Sequence, residues 1–312
     1  ENYPENQGFF AGPIQSIWHF NNTWTKNFYK NPDKLASLFG ADLILIDGLT
    51  HKKEGRYYGK FNKFAENTIK RGCVTALTTV VDDSNSLYYG NQSSLTAPGL
   101  LVGTGKAALR NNTYVSNYAR IASQCLQFER FSTFSLSDCT LQNNGHPLTV
   151  SFEDYYENLE SKALYEPQTQ DEVFDLLESA LKTLTKSYLQ NRKLSSRNYS
   201  GQYSLLAFTP VRLERVPGNS AVVRSSFSVG FTITRTKFLN NLTSSISVLL
   251  YEECHGSRGI ITNSVFEDNK TTQSETIRLN SCHLEMEDST FKNNSAVVLS
   301  QGILTSQSTL VL

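Results

Sequence analysis

Side chains able to do chemistry are few in this sequence and widely scattered. Cys254-His255-Gly256-Ser257-Arg258-Gly259 puts an imidazole and a cation into a glycine-rich turn, and Asp82-Asp83 is the sole adjacent aspartate pair. Inverting cleavage of a glycosidic bond needs two carboxyl groups about 6.5–9.5 Å apart across that bond. Asp82-Asp83 lies far upstream of His255, so His255 reads as a loop histidine. Asp138, Glu267, Asp268, Glu285, Glu287 and Asp288 are the carboxylates that could serve a hard cation, which wants about six to eight oxygens. At alternating strand positions they read instead as solvent-facing. Gly103-Thr104-Gly105-Lys106 lacks both the first glycine and the closing Ser/Thr of a phosphate loop and reads as a turn. His19, His51, His146 and His283 show no metal-ligand spacing. The expectation is no catalytic residue, no metal site and no cofactor.

Five cysteines (Cys73, Cys125, Cys139, Cys254, Cys282) contain no C-x-x-C pair, which removes zinc-ribbon and thioredoxin-like readings. Seven Asn-x-Ser/Thr acceptors occur, at Asn21, Asn91, Asn111, Asn198, Asn241, Asn269 and Asn293. Chance alone gives about five in so Asn-, Ser- and Thr-rich a chain. Most sit in polar, turn-like runs where a glycan would be solvated, so all seven are candidates and the expected location is extracellular or cell-surface. Lys plus Arg and Asp plus Glu are both 29, a formal net charge of zero, which implies no strong attraction to nucleic acid or to an anionic membrane and argues against a nucleic-acid partner. No run of eighteen apolar residues is present to span a membrane.

These residues must be held by a repeating framework. Thr236-Lys237-Phe238-Leu239-Asn240-Asn241, Ser264-Val265-Phe266-Glu267-Asp268-Asn269 and Ser289-Thr290-Phe291-Lys292-Asn293-Asn294 align, and Cys139-Thr140-Leu141-Gln142-Asn143-Asn144 is a weaker copy. Period-two strands precede the Phe residues, as in Phe231-Thr232-Ile233-Thr234. A period of this size means stacked units, and the lack of helical periodicity favours an all-β coil. Leu141, Phe238, Phe266 and Phe291 are the expected core ladder, with the closing asparagine both bending the chain through left-handed angles and bonding to the neighbouring turn. Cys254 and Cys282 are one local repeat apart, which allows a disulfide between adjacent coils; buried free thiols are the alternative.

The Phe-x-x-Asn repeat resembles that of pectin-lyase-like right-handed parallel β-helices, especially the surface adhesins of the polymorphic-membrane-protein type. The resemblance covers about ninety residues, Ser220 to Leu312, with one motif before them. It implies an extracellular solenoid and a surface role. Pectin-degrading hydrolases of this fold carry a Gly-His-Gly element near paired aspartates; here Cys254 stands before His255.

Looser coils are expected over residues 1–145, with strands at Leu43-Ile44-Leu45-Ile46, across Val74 to Val81 and at Leu100-Leu101-Val102. Residues 146–221 break the pattern. Thr169-Gln170-Asp171-Glu172 is a capping box, followed at helical spacing by Val173, Leu177, Ala180, Leu181, Leu184 and Tyr188. The fold class is therefore all-β, a right-handed parallel β-helix with an inserted amphipathic helix, and regular coils occupy 222–312. The chain opens Glu1-Asn2-Tyr3-Pro4 and ends partway through a coil, so more protein or a partner is expected beyond Leu312.

The expected function is a non-enzymatic extracellular rod or adhesive surface, meeting protein partners or its own copies through the coil ends and the 146–221 insertion. The alternative is a polysaccharide-binding or polysaccharide-degrading protein, with Tyr57-Tyr58 or Tyr88-Tyr89 as sugar platforms and glycans as partners.

Overall fold

The structure is a computed structural model, and it describes residues 7–11, 16–27, 42–47, 54–69, 71–93, 97–119, 121–146, 219–243, 247–254, 257–271, 275–296 and 302–312. These residues form an all-β parallel solenoid. One coil illustrates all of them: Asn219–Ser226 lies on the first face, Gly230–Thr234 on the second, Lys237–Leu239 on the third, and the two-residue strand Leu242–Thr243 turns the chain back. Stacking coil on coil gives two nine-stranded sheets and one eight-stranded sheet, every pairing parallel. The amphipathic helix expected from the capping box at Thr169 through Tyr188, and nearly all of the 146–221 insertion, lie outside the described residues.

Inward positions alternate with outward ones along each strand, so each face contributes a row of apolar side chains to one continuous core. Leu141, Phe238 and Phe266 are fully buried in register, and Phe291 caps the row at the last strand of its sheet, where it is partly exposed. The row runs further than the Phe spacing suggested. Trp24, Phe64, Tyr88 and Tyr114 precede Leu141 in register. Phe64 and Tyr88 stack at 4.9 Å, Tyr88 and Tyr114 at 4.8 Å, and Phe238 and Phe266 at 4.5 Å. All eight positions share one rule, a large apolar residue followed three residues later by Asn. Steps of 24, 26 and 27 residues before the insertion match steps of 28 and 25 after it, so those earlier coils are as regular as the later ones. The step from Asn27 to Asn67 is longer, at 40.

The run from Val74 to Val81 is not one strand. Thr78 has φ 52° and splits it into Val74–Leu77 on the first face and Thr79–Ser84 on the second. Such a left-handed residue recurs at the corners, as at Phe227, Arg235 and Asn240 in the coil above. One αL residue turns a strand sharply without breaking the registers on either side.

Candidate functional site

At most corners the residue after the αL position points inward toward its counterpart one coil away; after Arg130 a second αL residue, the exposed Phe131, intervenes. At the third corner this residue is asparagine throughout: Asn27, Asn67, Asn91, Asn117, Asn144, Asn241, Asn269 and Asn294. Each Nδ2 donates to the Oδ1 of the next, at 2.8 to 3.2 Å. From Asn67 onward each also donates to the carbonyl of the large apolar residue one coil back, as Asn269 does to Phe238 O at 2.8 Å. The two tasks expected of the motif's asparagine are therefore divided. The preceding residue takes the left-handed angles (Asn143, Asn240, Asp268, Asn293), and the buried asparagine carries the bonds.

This division sorts the glycosylation candidates. Asn21, Asn111 and Asn293 are exposed αL residues. Asn91, Asn241 and Asn269 are buried ladder members whose Nδ2 already makes two hydrogen bonds. A glycan on any of those three is incompatible with the fold, so they are withdrawn; Asn198 lies outside the described residues. Their Asn-x-Ser/Thr form has a structural origin, because Ser93, Thr243 and Thr271 are the buried small residues of the short returning strands. Expressed in a glycosylating host, the protein is expected to carry glycans at Asn21, Asn111 or Asn293 and none at the buried three. Peptide mass spectrometry before and after N-glycan removal reads this directly.

Cys254 and Cys282 occupy the equivalent inward positions of the first corner, after αL residues Glu253 and Ser281. A disulfide joins them, with Cα atoms 5.0 Å apart. It closes a loop of 28 residues, for which chain-entropy arguments give about 3–4 kcal/mol. Cys254→Ser with Cys282→Ser is expected to lower stability by about that much, measured by urea denaturation, with reductant lowering the parent toward the variant. Cys73, Cys125 and Cys139 are buried free thiols. Burial pushes all three pKa values up, Cys139 to about 12, which leaves them unreactive.

Asp82 and Asp83 lie on opposite surfaces of one strand. Asp82 faces outward and pairs with Arg110 at 3.2 Å, while Asp83 is buried. They cannot flank a glycosidic bond. Outward carboxylates weighed as cation ligands bridge coils instead, Asp138 to Arg235, Glu267 to Lys292 and Glu285 to Arg258, and Glu285 also meets His283 on its own strand. Among the described residues no three His, Cys, Asp or Glu side chains cluster as metal ligands. His255 and His51 lie outside the described residues.

Sequence reading missed a buried polar network at the first coils. Asp83 accepts from Ser86 Oγ at 2.7 Å, Tyr88 Oη at 2.9 Å and Asn112 Nδ2 at 3.1 Å. Gly59 makes room for it, since a Cβ there would come within 2.2 Å of Asp83 Oδ1. Burial raises the Asp83 pKa to about 6, against the opposing bonds from Ser86 and Tyr88. Nearby, Trp24 Nε1 donates to His19 Nε2 at 3.0 Å. An indole N–H only donates, so Nε2 holds a lone pair, and Nδ1 carries the proton and donates to Tyr57 Oη at 3.1 Å. Burial lowers the His19 pKa to about 4.

The tyrosines considered as sugar platforms are mostly inside. Tyr57, Tyr88 and Tyr89 are buried, and Tyr58 is partly covered by Trp18. Exposed aromatics do occur on the second face, at Trp18 and Phe20, and at corners, at Phe61, Phe131 and Phe227. Among the described residues no helix is long and apolar enough to cross a membrane. No protein-family model matches the chain, and neither a curated protein nor a solved structure is detectably similar to it.

Proposed function

We propose that this protein is a non-enzymatic extracellular β-solenoid, serving as a structural rod or an adhesive surface within an assembly. The observation that carries the reading is the use made of its polar side chains. The asparagine row, the Cys254–Cys282 disulfide, corner serines such as Ser264, which accepts from Thr236 N, and acid–base pairs such as Asp138 with Arg235 and Glu267 with Lys292 bond from coil to coil along the axis. Side chains that could converge on a substrate are spent on longitudinal cohesion, which suits a load-bearing or presenting element. The disulfide favours an oxidising compartment, and the three exposed acceptor asparagines accord with a glycoprotein. The pectin-lyase-like likeness rests on the Phe-x-x-Asn rule, which the apolar-x-x-Asn register extends back to Trp24.

The test is a turnover assay of the purified protein on acidic polysaccharides, read by release of reducing ends or unsaturated products. No turnover above a heat-denatured control is the expected result. Reproducible turnover would overturn the non-enzymatic reading.

A further inference from the structure

We propose that the outward surface of the second face, at its first coils, is an interfacial anchor for an anionic lipid surface. Trp18 is 65% exposed, Phe61 51% and Phe20 48%. Trp18 and Phe20 project outward from Ile17–Phe20, and their partners one coil on are Tyr58 and Lys60. Phe61 follows Lys60 at the corner.

The ring geometry separates two kinds of ligand. Trp18 and Tyr58 stack with centroids 4.3 Å apart and planes at 19°. That separation is close to the coil spacing of about 4.8 Å, so the rings stack along the solenoid axis and stand upright on the sheet. They offer edges outward, whereas a sugar lying along the sheet would need flat faces. The upright Trp18 and Tyr58 rings, with Phe20 set edge-to-face against Trp18 at 5.7 Å and 66°, suit insertion between lipid headgroups, where amphipathic aromatics settle. Phe61 has φ 57°, a conformation that bulky residues rarely adopt, and its side chain recovers little by packing at an exposed corner.

Charge points the same way. Arg56, Lys60 and Lys106 are exposed on this face, with Arg56 and Lys106 in one outward row and the Lys60 ammonium 5.0 Å from the Phe61 ring. The Arg110 charge is matched by Asp82, and Glu54 at the edge opposes only part of the remainder. On a chain of zero net charge this is a local cationic excess, the complement of an anionic leaflet within a Debye length. The inference stands whether or not the rod reading does.

The experiment is co-sedimentation with phosphatidylcholine vesicles, with and without phosphatidylserine, together with tryptophan emission. Trp18 and Trp24 are the two tryptophans, and Trp24 is held by His19, so Trp18 is the reporter. The expected result is binding to the phosphatidylserine vesicles, a blue shift on binding, and weakening by salt. Lys60→Gln with Lys106→Gln is expected to reduce partitioning about twenty-five-fold, at about fivefold per cation. Phe61→Asn, which suits the left-handed angles, is expected to reduce it several-fold with unchanged circular dichroism. Failure of the parent protein to sediment with phosphatidylserine vesicles overturns the proposal. So does parental binding by both variants, or capture by an immobilised acidic oligosaccharide without vesicle binding.

Discussion

Asp83→Asn is expected to make stability rise with pH, relative to the parent, between about pH 4 and 6. In the folded chain the Asp83 pKa is raised from 3.8 to about 6, and that of His19 is lowered from 6.5 to about 4. A raised pKa contributes stability that is full below 3.8 and lost as pH climbs through about 6. A lowered imidazole pKa does the reverse, contributing fully above 6.5 and losing it as pH falls through about 4. Between these limits the folded pair is neutral acid plus neutral imidazole, and the unfolded pair is carboxylate plus imidazolium. Each state binds one proton, so the pair contributes almost no slope. Removing Asp83 leaves His19 uncompensated, and the difference from the parent grows with pH. His19→Gln exposes the opposite arm, a loss of stability with rising pH. A shift of about two units caps the Asp83 arm at about 3 kcal/mol, and the half-buried His19 arm is smaller through solvent screening. Urea denaturation of parent and variants at about pH 4, 5, 6 and 7 reads the differences. Parallel profiles for parent and Asp83→Asn would show that the two groups do not titrate as the network implies.

The largest loss of stability is expected from Asn241→Ala. Asn241 Oδ1 accepts from Asn144 N and Nδ2, at 3.1 and 2.9 Å, and its Nδ2 donates to Asn269 Oδ1 and Leu141 O, both at 2.9 Å. Truncation leaves several of these buried groups unsatisfied, each costing about 1–3 kcal/mol, for a total of about 3–6 kcal/mol. Asn241→Asp is expected to be no milder, because it sets carboxylate oxygen against the Leu141 and Asn269 oxygens. The position matters too: Asn144 and Asn241 are 97 residues apart in sequence, and their contact joins the coils on either side of the insertion. Asn21→Asp, at an exposed corner, is the control and should stay within about 0.5 kcal/mol. Comparable denaturation midpoints for Asn241→Ala and Asn21→Asp would mean that the asparagine row is not what binds the coils.

Much of the fold was legible because a solenoid writes its geometry into a local period. Phe238, Phe266 and Phe291, each three residues before an asparagine, announced the coil, and the Cys254 to Cys282 separation of one repeat anticipated their contact. The earlier coils were harder to read because the same core position accepts Trp24, Phe64, Tyr88 or Tyr114, so a rule framed on Phe passes over them. The core asks for a large flat apolar group and leaves its identity open.

Local pattern does not show which of two neighbouring polar residues turns inward. Asn240 and Asn241 are the same residue type, yet one takes φ 46° at the corner and the other is buried with four hydrogen bonds. That choice comes from the coils above and below, whose amides must be met, and it decides which acceptor asparagines a glycan could reach. The same holds for Asp82 and Asp83, adjacent in sequence and on opposite surfaces in the fold. The sequence by itself determined the coil, its period and the Leu141, Phe238, Phe266 and Phe291 part of its core row, since these depend on spacing along one chain. Burial, partner and proton affinity of Asp83, His19 and the asparagine row were decided only when coils separated by 24 to 97 residues stacked within hydrogen-bonding distance.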